Sequence, residues 1–406
     1  MFPNLRNQFP ILSAKVGRRD LVYLDNAATT QKPSVILDAE REYYEKINSN
    51  IHRGAHLLSR LATDAHEEAR QSVADFLGAA SSKEIIFTRG CTEAINLVAQ
   101  TLALSGCIKP GDEFILATDA HHSNIVPWQM LAERTGAVVR PVPLTEALTF
   151  DMEAYENMLS SRTRLVAIPY ISNALGVVNP VPEIIDRARR NNPATFILVD
   201  GAQSVAHVAV DVQSLGCDFY AFSGHKVYAP TGTGVLWGRE EILEMLPPWQ
   251  GGGEMISEVT FAGTTYNTLP FKYEAGTPNI CGNIVLGKAL QYVKNLGVER
   301  IGLYEQELTN KLYDGLLSMQ GVRLLGPRDN RGALISMIVE GVHHYDLGTL
   351  LDQMGIAVRT GHHCCQPLMQ YLNITGTTRY SFALYNTAEE VDAALQATAR
   401  ALDMLR

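Results

Sequence analysis

Long apolar runs are missing from this chain of 406 residues. Stretches such as residues 196–199 fall far short of the ~18 apolar residues that cross a membrane as a helix, so no membrane partner is expected. A cationic excess is missing too. Lys and Arg number 34 against 43 Asp and Glu, a formal net charge of -9. That balance argues against a nucleic-acid binder, which carries a basic face. Residues 1–10 lack the apolar core of a secretory signal. Six cysteines, Cys91, Cys107, Cys217, Cys281, Cys364 and Cys365, lie too scattered for a disulfide framework. They read as thiols of a reducing compartment, and a cytoplasmic location is expected. No repeat of ~20–50 residues and no low-complexity segment is present. With 46% hydrophobic and 19% charged residues, the composition is that of ordered domains rather than disorder or a coiled coil. At ~100–200 residues per domain, the length suits two or three of them.

What is there is a short apolar run, a turn and a helical pattern, several times over. Residues 84–88, 114–117, 165–168 and 196–199 read as buried strands. Residues 92–104 and 181–190 read as helices, the first with Ile95, Val98, Ala99 and Leu102 on one stripe. Such alternation predicts parallel pairing in an α/β sheet. The pattern changes after about residue 240. Pro247, Pro248 and the glycines 251–253 mark a break, and 263–279 is polar and glycine-containing. A long helix begins at Ile280, residues 333–339 read as a strand, and residues 388–405 form a final helix. The expected division is an N-terminal segment, 1–20, packing on a small domain; a large domain, 21–290; and a small C-terminal domain, 291–406.

The chemistry concentrates between Asp200 and Gly238. Leu198-Val199-Asp200-Gly201-Ala202-Gln203 places an acid at the C-terminal end of a buried strand, the edge where open α/β sheets bind ligands. Phe222-Ser223-Gly224-His225-Lys226 follows, then a glycine-rich turn. Lys226, partly desolvated, could bond an aldehyde. An acid at a strand end and a downstream lysine are what pyridoxal phosphate needs. The lysine holds the aldehyde, and the carboxylate keeps the pyridine nitrogen protonated. Taken in isolation, Asp200 as a helix cap and Lys226 as a solvated amine remain open. Thr88-Arg89-Gly90-Cys91-Thr92-Glu93 lies between a strand and a helix, where free amides and the helix dipole favour a phosphate. His121, in His121-His122-Ser123-Asn124, could stack on a planar ring from the same edge.

Asp200-Gly-Ala-Gln203, Ser223-Gly-His225-Lys226 and Arg359-Thr-Gly-His-His-Cys364 together resemble the group II cysteine desulfurases of the SufS/CsdA type. These are fold-type I pyridoxal-phosphate enzymes of the class V aminotransferase group. The resemblance runs from Tyr23-Leu-Asp-Asn-Ala-Ala28 through Asn50-Ile-His-Arg-Gly54 and Glu274-Ala-Gly-Thr-Pro-Asn279 to Tyr385-Asn-Thr387. It implies a large, mainly parallel-sheet domain plus a smaller α/β domain. Carried over by position, Lys226 bonds the cofactor aldehyde, Asp200 partners the pyridine nitrogen, Gln203 the ring hydroxyl, and His121 stacks on the ring. Thr92, Ser223 and His225 hold the phosphate, with Thr277 reaching in from the second subunit of a homodimer. Asn173, Arg359 and Arg379 serve the substrate, Arg379 as a bidentate carboxylate clamp. Departures are Cys91 where threonine is more frequent, Ala120 where glutamate is usual, and Cys365 where a small apolar residue is common.

Gly361 and Pro367 suggest that Cys364 sits in a loop, with Arg359, His362 and His363 offering positive charge to its thiolate. A metal bound by His362, His363, Cys364 and Cys365 is not expected, because adjacent residues point in different directions and structural zinc sites space paired ligands by ~2–4 residues. The resemblance implies conversion of L-cysteine to L-alanine with a persulfide on Cys364. A SufE-like sulfur acceptor protein and iron–sulfur cluster assembly, or a related thiolation pathway, would follow. Lys226, Cys364 and His121, the last as a proton carrier, are the expected catalytic groups. Alternatives are a selenocysteine lyase, another class V enzyme such as an aminotransferase or a kynureninase-like hydrolase, and a catalytically silent scaffold for sulfur transfer. A thiol-dependent rate separates the desulfurase from the other class V chemistries.

Overall fold

The computed structural model describes Phe2 and residues 5–406. Its centre is a seven-stranded sheet built from β1 (Ile85–Thr88), β2 (Glu113–Ala117), β3 (Val138–Val142), β4 (Thr163–Pro169), β5 (Phe196–Asp200), β6 (Phe219–Ser223) and β7 (Gly234–Gly238). The spatial order is β1-β7-β6-β5-β4-β2-β3. Strands β6 to β3 pair in parallel, as the alternating pattern predicts. Strand β7 runs antiparallel to both β1 and β6. It falls where the sequence shows a glycine-rich turn running into Val235-Leu236-Trp237. Its three apolar side chains are buried, but glycines at both ends mask a run that short.

Helices on both faces bury the sheet, whose central strands are apolar throughout because neither face meets water. Helix α1 (Leu57–Leu77) packs along α3 (Ile280–Leu296). There Gly287 lets the backbones close: a Cβ on it would lie 2.7 Å from Ala69 Cα. Helix α2 (Cys91–Ser105) follows β1. The long helical pattern after Ile280 is in fact two helices. Gly297, at φ 87° and ψ 107°, ends α3 and turns the chain into α4 (Val298–Leu317). A helical pattern cannot reveal such a break, since one glycine inside it costs only about 1 kcal/mol.

The polar stretch after the glycine triplet forms an exposed hairpin, β8 (Ile256–Thr260) and β9 (Gly263–Tyr266), with Phe261 at its tip fully open to solvent. A second, antiparallel sheet lies near the C-terminus, ordered β10 (Val322–Leu324), β11 (Leu334–Val339), β13 (Thr377–Ser381), β12 (Arg359–Gly361). Its core joins Ile335, Met337 and Tyr380 to Leu312 and Leu316 of α4 and Val391 of α5 (Ala388–Leu405). A reciprocal cap between Thr387 and Glu390 starts α5.

The N-terminal chain lies in the seam between the two sheets. The Phe9 ring packs at a tilt 4.5 Å from Tyr385 and edge-on 6.1 Å from Tyr228, between centroids, Ser34 Oγ donates to Gln8 O at 3.2 Å, and Arg6 pairs with Glu390. Val22–Tyr23 pairs in parallel with Ile356–Ala357, which ties this segment to the smaller sheet. Among the described residues no helix is long and apolar enough to cross a membrane.

Candidate active site

Parallel strands all release their chains at one edge, and the site lies there. Asp200 is the last residue of β5 and Ser223 the last of β6; His121 follows β2 and Asn173 follows β4. The edge opens into a cavity of ≈ 750 Å³, counting its open mouth. Thr92, His121, Asn173, Asp200, Gln203, Ser223, His225 and Lys226 line it from the large sheet. Arg359, Cys364 and Arg379 line it from the small one. Eleven of the twelve expected site residues therefore share one cavity. Thr277 does not. It lines a separate depression with Arg89, Gly232 and Asn279.

Desolvation pulls the Lys226 ammonium down, opposed by the charge of Asp200, and Arg379 lowers it further. A buried amine that loses its proton readily is what nucleophilic attack on an aldehyde needs. Burial pushes Asp200 up, against hydrogen bonds and the attraction of Lys226. Both donors to Asp200 converge on Oδ1: the Ala202 amide at 3.0 Å and the Cys91 thiol at 3.3 Å. Oδ2 is left for a partner inside the cavity. A protonated pyridine nitrogen suits it, because a buried carboxylate gains most from a cationic donor.

The groups expected to hold a phosphate assemble next to it. Gly90, at φ 154°, turns the chain from β1 into α2, and the Cys91 amide donates to Ser223 Oγ at 2.9 Å. The first turn of α2 then presents its remaining amides beside Thr92, Ser223 and His225. His225 is held near pKa 4 by burial and by Lys226 and Lys32, so its ring acts as a neutral hydrogen-bonding group. Gln203 donates to Ala27 O at 2.8 Å. These donors, acceptors and charges fit pyridoxal phosphate at each of its polar corners.

His121 is held neutral, near pKa 3, by burial first and then by the positive charge of Lys226. Its Nδ1 accepts the Ser123 amide at 3.1 Å and lies 2.8 Å from Ser123 Oγ. The proton of the neutral ring is thereby placed on Nε2. The ring is oriented by Ser123, and the buried Ala120 takes no polar part.

On the opposite wall, Arg359 and Arg379 are direct partners across β12 and β13. Residues 359–361, expected as loop, form this strand, because pairing with β13 overrides the glycine signal. Arg379 is 2% exposed. Its Nη1 donates to Asn173 O at 2.7 Å and its Nη2 to Asp25 Oδ1 at 3.2 Å, while Nε, buried, has no partner among the described residues. Arg359 Nη1 lies 3.7 Å from Asp25 Oδ2. Asp25 thus anchors both guanidiniums, and sequence reading missed it. It lies in Tyr23-Leu-Asp-Asn-Ala-Ala28, where the resemblance begins, but its partners lie more than 330 positions away.

Beyond β12 the chain turns through His363 (φ 53°) and Cys364 (φ 56°), two consecutive left-handed residues that are not glycine. That costs of order 1–2 kcal/mol each, met here by outside contacts. Asn173 Nδ2 donates to His363 O at 2.7 Å, and the His122 amide to Cys364 O at 2.8 Å. Cys364 ends up exposed. Cys365 is fully buried, with Sγ 3.1 Å from Asn173 Oδ1, and burial pushes its thiol far up. Asn173, expected to serve the substrate, uses its side-chain amide to brace this turn.

His363 corrects one expectation. Burial holds its imidazole near pKa 2, with Nε2 at 2.6 Å from Thr377 Oγ1. It is neutral and lends no positive charge to Cys364, which leaves Arg359 as the cavity-lining cation on that strand.

The family model for aminotransferase class-V matches residues 22–394. A Vibrio cholerae serotype O1 protein named "Probable cysteine desulfurase" is 47% identical over 99% of this chain and 98% of its own length. An Escherichia coli O8 "Cysteine desulfurase" is 47% identical over 96% of this chain and 95% of its own. The crystal structure of the Escherichia coli cysteine desulfurase CsdA, in an S-sulfonic acid form, superposes with a TM-score of 0.92 at 40% identity. It covers 100% of this chain and 99% of that one.

Proposed function

The chain belongs to the aminotransferase class-V family and is a pyridoxal-phosphate-dependent cysteine desulfurase, and from that premise we propose that sulfur leaves L-cysteine as a persulfide on Cys364. One juxtaposition carries this reading: an exposed cysteine on a braced turn stands over a cavity that also holds Lys226, Asp200 and Arg379.

When bound, pyridoxal phosphate supplies an electron-withdrawing ring that stabilises negative charge at the substrate α-carbon. Asp200 would partner the ring nitrogen, Gln203 the ring hydroxyl, and Thr92, Ser223 and His225 would hold the phosphate. The substrate carboxylate would meet Arg379 from the cavity that this residue lines, where its Nε has no partner among the described residues. Lys226, whose ammonium burial pulls down, would accept the α-proton. His121 presents an Nε2–H donor that can pass a proton and be reloaded. The Cys364 thiolate attacks the substrate sulfur. An S–S bond forms as the Cβ–S bond breaks, its electrons stay with the carbon skeleton, and protonation there gives L-alanine.

Arg379→Ala removes a charge-assisted clamp worth about 1.5–3 kcal/mol. It is expected to raise KM for L-cysteine by roughly 10–100-fold. An unchanged KM in steady-state alanine release would remove Arg379 from substrate binding.

Iron–sulfur cluster assembly, or a related thiolation pathway, is the proposed destination of the sulfur, with a SufE-like protein as acceptor in the cytoplasm. A homodimer is part of the reading. Thr277 lies in a depression of its own, beside Arg89, where it can serve a second copy's phosphate. Incubation with one equivalent of L-cysteine followed by native mass spectrometry and peptide mapping tests the whole. The expected result is a dimer with one added sulfur on each Cys364, free L-alanine, and loss of the adduct on adding a SufE-like protein. Alanine without an adduct on Cys364 would overturn the nucleophile. No alanine would turn the reading toward selenocysteine, and a monomer would end the role of Thr277.

A further inference from the structure

Two adjacent histidines divide their work. His121 faces the cavity through its ring, whereas His122 turns toward the nucleophile loop, 6.3 Å away between ring centroids. The His122 amide donates to Cys364 O at 2.8 Å, and its Nε2 accepts the Gln366 amide at 3.0 Å. Gln366 opens the short helix Gln366–Tyr371, with Pro367 next. The first amide of a helix has no acceptor within it, and Pro367 has no amide to offer. No side chain of that helix's own cap residue bonds its amides, so His122 supplies the cap from another part of the chain.

The consequence falls on Cys364. Asn173 Nδ2 grips His363 O at 2.7 Å on one side, and Cys365 Sγ lies 3.7 Å from Asp119 O behind it. His122 grips residues 364 and 366 on the other side. The two left-handed residues between these grips, His363 and Cys364, hold a backbone that side-chain-bearing residues adopt only when their surroundings impose it. We propose that His122 is a positioning residue for the reaction: its ring nitrogen fixes the turn that aims the Cys364 sulfur into the cavity. This deepens the desulfurase reading and rests on Cys364 being its nucleophile.

The acceptor is at Nε2, the far side of the ring, which gives the test its discrimination. In His122→Gln the side-chain oxygen reaches about as far as Nε2. In His122→Asn the oxygen stops near the place of Nδ1, and His122→Ala has no acceptor at all. In the holoenzyme, the alanine and asparagine variants are expected to lose about 10–100-fold in kcat, the scale of a nucleophile misplaced by an ångström. KM for L-cysteine and the cofactor absorbance stay as in the native protein, because Arg379 and Lys226 are untouched. The glutamine variant recovers most of the rate. Alkylation of Cys364 by iodoacetamide, read by peptide mass without any turnover, changes several-fold in the alanine and asparagine variants and not in the glutamine one. A native kcat and alkylation rate in His122→Ala, or a glutamine variant no better than alanine, would overturn the proposal. Loss of the desulfurase reading itself shows instead as full activity of Cys364→Ser, while alkylation continues to report on the turn.

Discussion

Replacing Lys226 with alanine is expected to abolish alanine release and, in the same protein, the visible absorbance of the lysine-bound cofactor. The lysine performs two tasks from one position at the cavity floor: it anchors the cofactor aldehyde and it takes the α-proton. Its desolvated surroundings pull the ammonium down, with Asp200 opposing that shift and Arg379 adding to it, which makes the proton easier to release. A positioned proton acceptor alone is worth about 10²–10⁴-fold, and losing the covalent anchor adds to this. The rate should fall by on the order of 10³-fold or more. The fold should be unaffected, since among the described residues no hydrogen bond to the Lys226 side chain holds any element in place. A variant that keeps the native absorbance and turns over L-cysteine would place the anchor elsewhere.

Cys364→Ser is expected to have the next largest effect. The serine hydroxyl fits the exposed turn, but it is not ionised near neutrality and oxygen accepts no sulfur from a thiol of the substrate. Loss of a covalent nucleophile costs on the order of 10⁴-fold or more. The adduct of one sulfur should vanish with it. The neighbouring thiol offers no substitute. Cys365 is buried, directed at Asn173, and protonated, the reverse of what makes a cysteine reactive. Cys365→Ala, which restores the small residue common at that place, should therefore keep both alanine release and the adduct. A sulfur found on Cys365 in the Cys364→Ser protein would reverse these assignments.

Much of this site is legible in the sequence because its chemistry lies at strand ends. Asp200 and Ser223 close strands of continuous apolar residues, and Gly90 opens a helix; each signal is local, so each can be read without the fold. The misses have the opposite character. Asp25 matters through Arg359 and Arg379, and nothing near it in the chain says so. His363 and His362 look alike in sequence, but only packing shows that His363 is buried and neutral. Strand β7 and residues 359–361 take their structure from neighbours in the sheet, β6 and β1 for the first and β13 for the second, which local composition does not reveal. That pairing turns an expected loop into the platform for both guanidiniums. Helix boundaries follow the same rule: α5 begins at a cap that can be read directly, whereas the division at Gly297 requires knowing where α3 runs out of surface to cover.

The span between Asp25 and Arg379, 354 positions joined by one ion pair, has a consequence for how the protein is made. Chains leave the ribosome from the N-terminus, and domains acquire structure as they emerge. The large sheet can condense once Gly238 is out, with Lys226 and Asp200 already in place at its edge. Asp25 and the segment around Val22 then wait for more than a hundred further residues, until Ile356–Ala357 and Arg379 appear. Contacts between such remote parts are the slowest to form. Newborn chains therefore have neither the carboxylate clamp nor the sulfur carrier until Arg379 has emerged, and so cannot release sulfur before then.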